Sequence, residues 1–418
     1  MKILWIVNTI FPYPASKIGQ EKCCFGGWLN GLANMLKDNN DIKLAIAAVY
    51  NGIDIKKFDD GKVIYYLIPG APALKYNSNL EKYWKIVNEE FKPDLVHIHG
   101  TEFAHGLAFT KACPSVKTVT SIQGLTSAIA KVYYAGLQTS EILKNVTFRD
   151  IIKQDNIFQQ KKKFTKRGKN EIELIKKTDA IIGRTIWDYA NTKAINPEES
   201  YFVGNETLRT GFYGKEWNLE NIERHSIFTS QASYPIKGLH FLLQAIYLLK
   251  QNYPDVKLYI AGDNIIDTST FTRIIKINGY AKIIKKLIKK YKLEEQVVFT
   301  GILSEEKMIE QYLKSNVFVL PSVIENSSNS LGEAMILGMP CVATNTGGTM
   351  DILEHKKEGF LYPYTEPAMC ADYISRYFED DKLCKEYGRQ AREKALSRHN
   401  AENNANQIIK IYNEIIKK

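Results

Sequence analysis

A chain of 418 residues is too long for one ordinary hydrophobic core, and at roughly 100–200 residues per domain it points to two. Its 44% apolar, 24% charged and 11% aromatic content exclude a disordered chain, since there is enough apolar material to build full cores. The net charge of +10 and pI near 9.0 favour an acidic contact, whether nucleic acid, nucleotide phosphates or an anionic membrane face.

In chain order, "MKILWIVNTIF" opens with a short apolar run that lacks a following small-residue cleavage site, so it reads as a first buried strand and not a secretory signal. Further strands are expected at "LAIAAVY", "VIYYLI", "LVHIHG", "TVTSIQG", "AIIGRT" and "YFVGN", with helical spacing between them in "GGWLNGLANMLK" and "NLEKYWKIVNEEF". A second series begins near residue 226 with "SIFTSQ", "KLYIAGD", "VVFTG", "VFVLPS", "CVATN" and "GFLYP", separated by helices such as "GLHFLLQAIYLLKQ" and "SEEKMIEQYLKS". Short, uniformly apolar strands between helices imply parallel sheets covered on both faces, hence an α/β chain of two doubly wound, Rossmann-like domains. The expected division is a first domain over residues 1–205, a linker or hinge over 206–224 and a second domain over 225–399. A last helix, "AENNANQIIKIYNEIIKK" at about 400–418, is free to pack on either. No stretch reaches the roughly 18–20 apolar residues of a membrane-spanning helix. The six cysteines show no metal-binding spacing, and their sparse use fits a reducing cytoplasm.

Ligands of open parallel sheets bind beyond the carboxyl ends of the strands, so the loops after strands matter most. In "PSVIENSSNSLGEAM", Glu325 lies in such a loop and Glu333 near the start of the following helix. The small residues Asn326, Ser327, Ser328, Asn329 and Ser330 leave backbone N–H groups open at a helix N-terminus, which favours anions. Two carboxylates flanking that loop suit sugar hydroxyls, because a carboxylate accepts two hydrogen bonds from a vicinal diol. The plainer alternative is that Asn326 or a serine caps the helix and Glu333 sits favourably in its first turn.

The Glu-x7-Glu spacing of Glu325 and Glu333, followed by "AMILGMPCVATNTGG", resembles the signature of family 4 retaining glycosyltransferases, which have the GT-B fold of two Rossmann-like domains facing across a cleft. Supporting pieces come in the order the resemblance requires: the pair Gly26-Gly27 after the first strand, "PDLVHIHG", Lys237-Gly238, "LYIAGD" and "VVFTG". The resemblance implies a nucleotide diphosphate sugar as donor and no cofactor. Glu333 would take the ribose hydroxyls, Glu325 the transferred sugar, and Lys237 the charge that develops on the departing diphosphate. Ser327 to Ser330 would offer amides to phosphate and sugar, while Gly26 and Gly27 would let backbone approach the same ligand. It implies no metal, and no Asp-x-Asp pair follows a strand.

Two positions depart from the family pattern. Its usual arginine six residues before the lysine is Gln231 here, with Arg184 or Arg209 as replacements for the missing charge. Its usual mid-domain histidine is Gln123, which shifts that role toward His99, Glu102 and His105 in "HIHGTEFAHG". His97 reads as a core residue. A zinc site from these histidines and Glu102 is disfavoured, because His97 and His99 share one strand face and nothing fixes the others.

The runs "KKKFTKRGKN" and "AKIIKKLIKKYK" set lysines beside apolar residues. They fit solvated surface helices, or docking on an anionic membrane, which would give a cytoplasmic protein peripheral contact with the inner membrane face. No nucleic-acid recognition motif is present. The expected activity is sugar transfer from a nucleotide diphosphate sugar to a saccharide or lipid-linked saccharide in surface polysaccharide or glycoconjugate synthesis. The alternatives are a non-catalytic GT-B subunit or glycan-binding partner, suggested by Gln231 and Gln123, and a nucleotide-sugar epimerase of the same fold.

Overall fold

The computed structural model describes residues 1–20, 27–71 and 76–418, and its contacts divide the chain into two compact units. The first comprises Met1–Ala128, Phe164–Arg209 and His399–Lys418, and the second Ile129–Lys163 and Thr210–Arg398.

Alternating apolar strands and helices produce the first unit's eight-stranded sheet. Its strands are β1 (Lys2–Val7), β2 (Lys43–Tyr50), β3 (Lys56–Asp59), β4 (Val63–Pro69), β5 (Leu95–His99), β6 (Thr118–Ser121), β7 (Ala180–Gly183) and β8 (Ser200–Val203). They are ordered β3-β4-β2-β1-β5-β6-β7-β8. All neighbours are parallel except β3, which runs antiparallel to β4. All five residues of β5 are buried, as a strand covered on both faces requires. The helix Ala401–Lys417 completes this core by placing Ile408, Ile411, Tyr412 and Ile415 among Trp5, Leu44 and Val119. A polar thread runs through the same packing. Trp5 Nε1 donates to the Tyr412 hydroxyl at 3.0 Å, which lies 2.6 Å from His97 Nδ1, and His97 Nε2 lies 2.6 Å from Ser121 Oγ. His97 is therefore a hydrogen-bonded core histidine, and burial pushes its pKa down to about 3.

The second unit has six parallel strands: β9 (Glu223–Thr229), β10 (Lys257–Ala261), β11 (Val297–Gly301), β12 (Ser315–Leu320), β13 (Cys341–Thr344) and β14 (Phe360–Tyr362). Their order is β11-β10-β9-β12-β13-β14. Numbered within the unit this is 3-2-1-4-5-6, so the winding reverses between β9 and β12, and in the first sheet it reverses between β1 and β5.

The units differ from a simple two-segment division. Residues 129–163 leave the first series and pack with the second unit, where His240 Nε2 donates to the Ala135 carbonyl at 2.8 Å and the Gly279 N–H donates to Asp150 Oδ2 at 2.8 Å. Much of the expected linker is also packed: Trp217 is buried, its Nε1 donates to the Ser315 carbonyl at 2.8 Å and its N–H to the Leu337 carbonyl at 2.7 Å. These bonds satisfy backbone acceptors inside the second unit, so residues 210–224 belong to it.

Candidate functional site

The second unit gathers its chemistry at the reversal between β9 and β12. The chain leaving β9 makes a one-turn helix, Pro235–Lys237, which ends at Gly238 with φ at 71°. A Cβ on Gly238 would stand 1.9 Å from the Pro321 carbonyl oxygen, so only glycine allows this turn to lie against the loop after β12. The Val323 N–H donates to the Ile236 carbonyl at 2.8 Å and locks the two loops together. This brings Lys237 Nζ to 2.5 Å from Glu325 Oε1, with both side chains less than one-fifth exposed. Burial alone would lower the Lys237 pKa. The Glu325 carboxylate, with a further contribution from Tyr234, more than offsets that and holds the ammonium above its ordinary value. Ser322 Oγ donates to the same Glu325 oxygen at 2.8 Å.

A third loop, after β13, fixes the Glu325 backbone: the Gly348 N–H donates to its carbonyl at 3.0 Å. The helix Asn329–Leu337 follows, with Ser328 as N-cap accepting from the Leu331 N–H and lying 3.0 Å from Ser330 Oγ. Asn326 and Glu333 are buried, Ser327, Asn329 and Ser330 half-buried, and Gln231 exposed in the loop after β9. The arrangement thus supplies a buried ammonium, a carboxylate beside it and a helix N-terminus on adjacent loops, a set suited to a ligand with both anionic and hydroxyl groups. Ser322 and the Gly347-Gly348 clamp are members that sequence reasoning missed. Their position directly after β12 and β13 was the available signal.

The first unit has its own cluster at its reversal point. His99, at the end of β5, and His105, at the start of the helix His105–Ala112, are both buried, and neither has a hydrogen-bond partner for its ring nitrogens among the described residues. His99 packs edge-on against Trp5 at 4.4 Å between ring centres. Burial, with His97 adjacent, pushes the His99 pKa well down, and burial lowers that of His105 to about 4, so both rings are neutral. Glu102 folds back over Gly100, its Oε2 without a partner among the described residues, and burial reinforced by nearby Glu171 raises its pKa to about 7. Arg184 is buried, paired with Glu206 at 2.5 Å and donating to the Ile122 carbonyl at 2.6 Å. The charge offered as a substitute for Gln231 is thus engaged within the first unit. Gln123 lies half-buried in the loop after β6 and Arg209 half-buried at the unit's end. Gly27 opens the helix Gly27–Leu36, whereas Gly26 lies outside the described residues. Among the described residues, no group of three or more His, Cys, Asp or Glu is placed to hold a metal ion.

Residues 215–394 match the family described as Glycosyl transferases group 1. The protein YtcC of Bacillus subtilis (strain 168), named as a glycosyltransferase, is 26% identical over 323 residues, covering 75% of this chain and 71% of that one. The matched region spans only about half the length of other curated relatives. Among solved structures, the sucrose-phosphate synthase of Thermosynechococcus elongatus superposes with a TM-score of 0.70 at 16% identity, covering 100% of this chain and 99% of that one. Anabaena Alr3699/HepE, in complex with UDP and glucose, gives 0.66 at 17% identity, covering 98% and 99%.

Proposed function

We propose that the chain, whose residues 215–394 match the group 1 glycosyl transferases, is a retaining transferase of the GT-B fold that takes a uridine diphosphate sugar and delivers the sugar to a saccharide or lipid-linked saccharide. The donor reading is supported by the likeness to Alr3699/HepE, which is complexed with UDP-glucose as well as with UDP and glucose. The observation that carries the site assignment is the Lys237–Glu325 pair at the reversal point of the second sheet.

In this reading, Lys237 releases part of its attraction to Glu325 and neutralises the diphosphate as the glycosidic bond breaks, which is electrostatic stabilisation where charge develops. Glu325 then accepts from hydroxyls of the transferred sugar, and Glu333 from the ribose. Amides at the start of the helix Asn329–Leu337, next to Ser327 and Ser328, take phosphate oxygens. The departing diphosphate oxygen accepts the acceptor's proton, so attack occurs on the face being vacated and configuration is retained. Taken by itself, the first unit's cluster of His99, Glu102 and His105 has the polar groups to bind hydroxyls of a saccharide. The work assigned is polysaccharide or glycoconjugate assembly in the cytoplasm.

Calorimetric titration with uridine diphosphate tests the reading, paired with turnover of uridine diphosphate sugars. Binding by the parent and weakening in Glu333→Ala are expected. Lys237→Ala should lower kcat by roughly 10²–10³-fold with little change in KM. A folded parent that binds no uridine diphosphate would overturn it and favour a non-catalytic subunit.

A further inference from the structure

One seven-residue pattern occurs twice in the second unit. Residues 147–153 read Thr-Phe-Arg-Asp-Ile-Ile-Lys and residues 270–276 read Thr-Phe-Thr-Arg-Ile-Ile-Lys. Each forms a short helix, Phe148–Lys153 and Phe271–Lys276, with its threonine as N-cap accepting the N–H three residues on. The two helices pack beside each other although their sequences lie more than a hundred residues apart. Phe, Ile and Ile at i, i+3 and i+4 make one apolar face on each.

Both faces are largely open among the described residues. Phe148, Ile151, Ile152, Phe271, Ile274 and Ile275 are between 47% and 75% exposed, and the second helix has no buried residue. A six-residue helix lacks the length to hold itself together in water, so an apolar face with nothing packed on it has no folding role that accounts for it. The scaffold beneath is firm by contrast. Buried Asp150 closes a capping box with Thr147 and accepts from the Gly279 N–H at the start of the helix Gly279–Tyr291.

Cations border the apolar faces. Lys153 and Lys276 end the two helices, Lys144 precedes the first, and Lys285 reaches Thr268 just ahead of the second. Arg149 is paired with Asp150 and Asp155 and Arg273 with Asp263 and Asp267, and the four lysines outnumber the two surplus carboxylates, so the rim is positive on balance. Of the two lysine-rich runs, "AKIIKKLIKKYK" does not supply an apolar surface itself, because Ile283, Ile284 and Ile288 on the helix Gly279–Tyr291 are buried. The surface lies on its neighbours.

We propose that these twin helices dock the protein on an anionic lipid bilayer, the phenylalanines and isoleucines entering the headgroup boundary and the lysines meeting lipid phosphates. A second copy of the chain fits less well, since matching faces would bring the same lysines together. The inference does not depend on the donor assignment.

Co-sedimentation of the full chain with vesicles tests it. Binding is expected to vesicles of phosphatidylcholine and phosphatidylglycerol in equal parts, with weaker binding to phosphatidylcholine alone and a decline as salt rises. The double substitution Phe148→Ser and Phe271→Ser should lower the partition coefficient at least about tenfold. Its melting temperature and uridine diphosphate affinity should stay at the parental values, because neither phenylalanine is buried. Lys153→Glu with Lys276→Glu should abolish the preference for phosphatidylglycerol. Failure of the parent to bind mixed vesicles, or parental partitioning of the serine double variant, overturns the proposal. Light scattering that shows a lipid-free dimer broken by the same variant would overturn it too, and assign the faces to a second copy.

Discussion

Gly347 holds φ at 55°, and a Cβ built on it would stand 1.8 Å from the Glu325 carbonyl oxygen. Gly347→Ala therefore carries two penalties, a left-handed backbone for a non-glycine residue and a forced shift of the loop that presents Glu325. Gly262, at the end of β10 with φ at 106° and nothing within 4 Å of a Cβ, isolates the first penalty. Gly262→Ala should cost about 1–3 kcal/mol in urea denaturation and leave sugar transfer near the parental rate. Gly347→Ala should destabilise further and depress turnover by at least about tenfold, as a misplaced reacting group does. Equal turnover in the two variants would show that the position of Glu325 does not matter. At this scale the placement of the candidate site's residues was partly legible. Glu325, Glu333 and Lys237 stand in or just after loops that follow apolar strands, where chemistry is expected. The use of Arg184 was not legible, because its partner Glu206 and the Ile122 carbonyl are brought to it by folding and not by spacing.

Strands were legible for a different reason: a run such as "LVHIHG" has no polar face to misassign, and β5 is buried at every residue. The strand that sequence patterning misses is β3, "KKFD", an exposed antiparallel edge held by pairing with β4 and not by its own apolar pattern. The excursion of residues 129–163 was equally hidden, since the bond from Gly279 to Asp150 spans 129 positions and leaves no local mark. The C-terminal helix offers a test of how such distant bonds hold an element. Tyr412→Phe keeps the ring's packing but removes the hydroxyl that accepts from Trp5 and meets His97. Two buried polar atoms are then left unpaired, and the expected cost is about 1–3 kcal/mol, read as a lower urea midpoint. A midpoint matching the parent's would mean the helix Ala401–Lys417 is held by its isoleucines alone.

Across the whole molecule, buried histidines give stability a direction with pH. His97 is lowered to about 3, His99 well below its ordinary value, and His105 and His240 each to about 4, in every case with burial as the leading cause. A lowered histidine pKa means that the unfolded chain takes up a proton first. The stabilisation is therefore complete above about pH 6.5 and is lost as pH falls from there toward the folded values. The loss amounts to at most about 2 kcal/mol per histidine by about pH 5. Glu102 acts in the opposite sense, because a carboxyl raised from 4.5 to about 7 makes the fold lose stability as pH rises between those values. Three histidines outweigh one carboxyl in the first unit, so acid should destabilise it on balance. Tryptophan fluorescence is a suitable probe, as Trp5, Trp28, Trp84 and Trp187 belong to that unit and only Trp217 to the other. The fluorescence urea midpoint should fall steadily from neutral pH toward about pH 5. His105→Leu should flatten that fall, whereas Glu102→Gln should steepen it by removing the opposing term. A midpoint that is level across this range, or a Glu102→Gln profile shallower than the parent's, would show that the rings are not neutral in the fold or that Glu102 is ionised there.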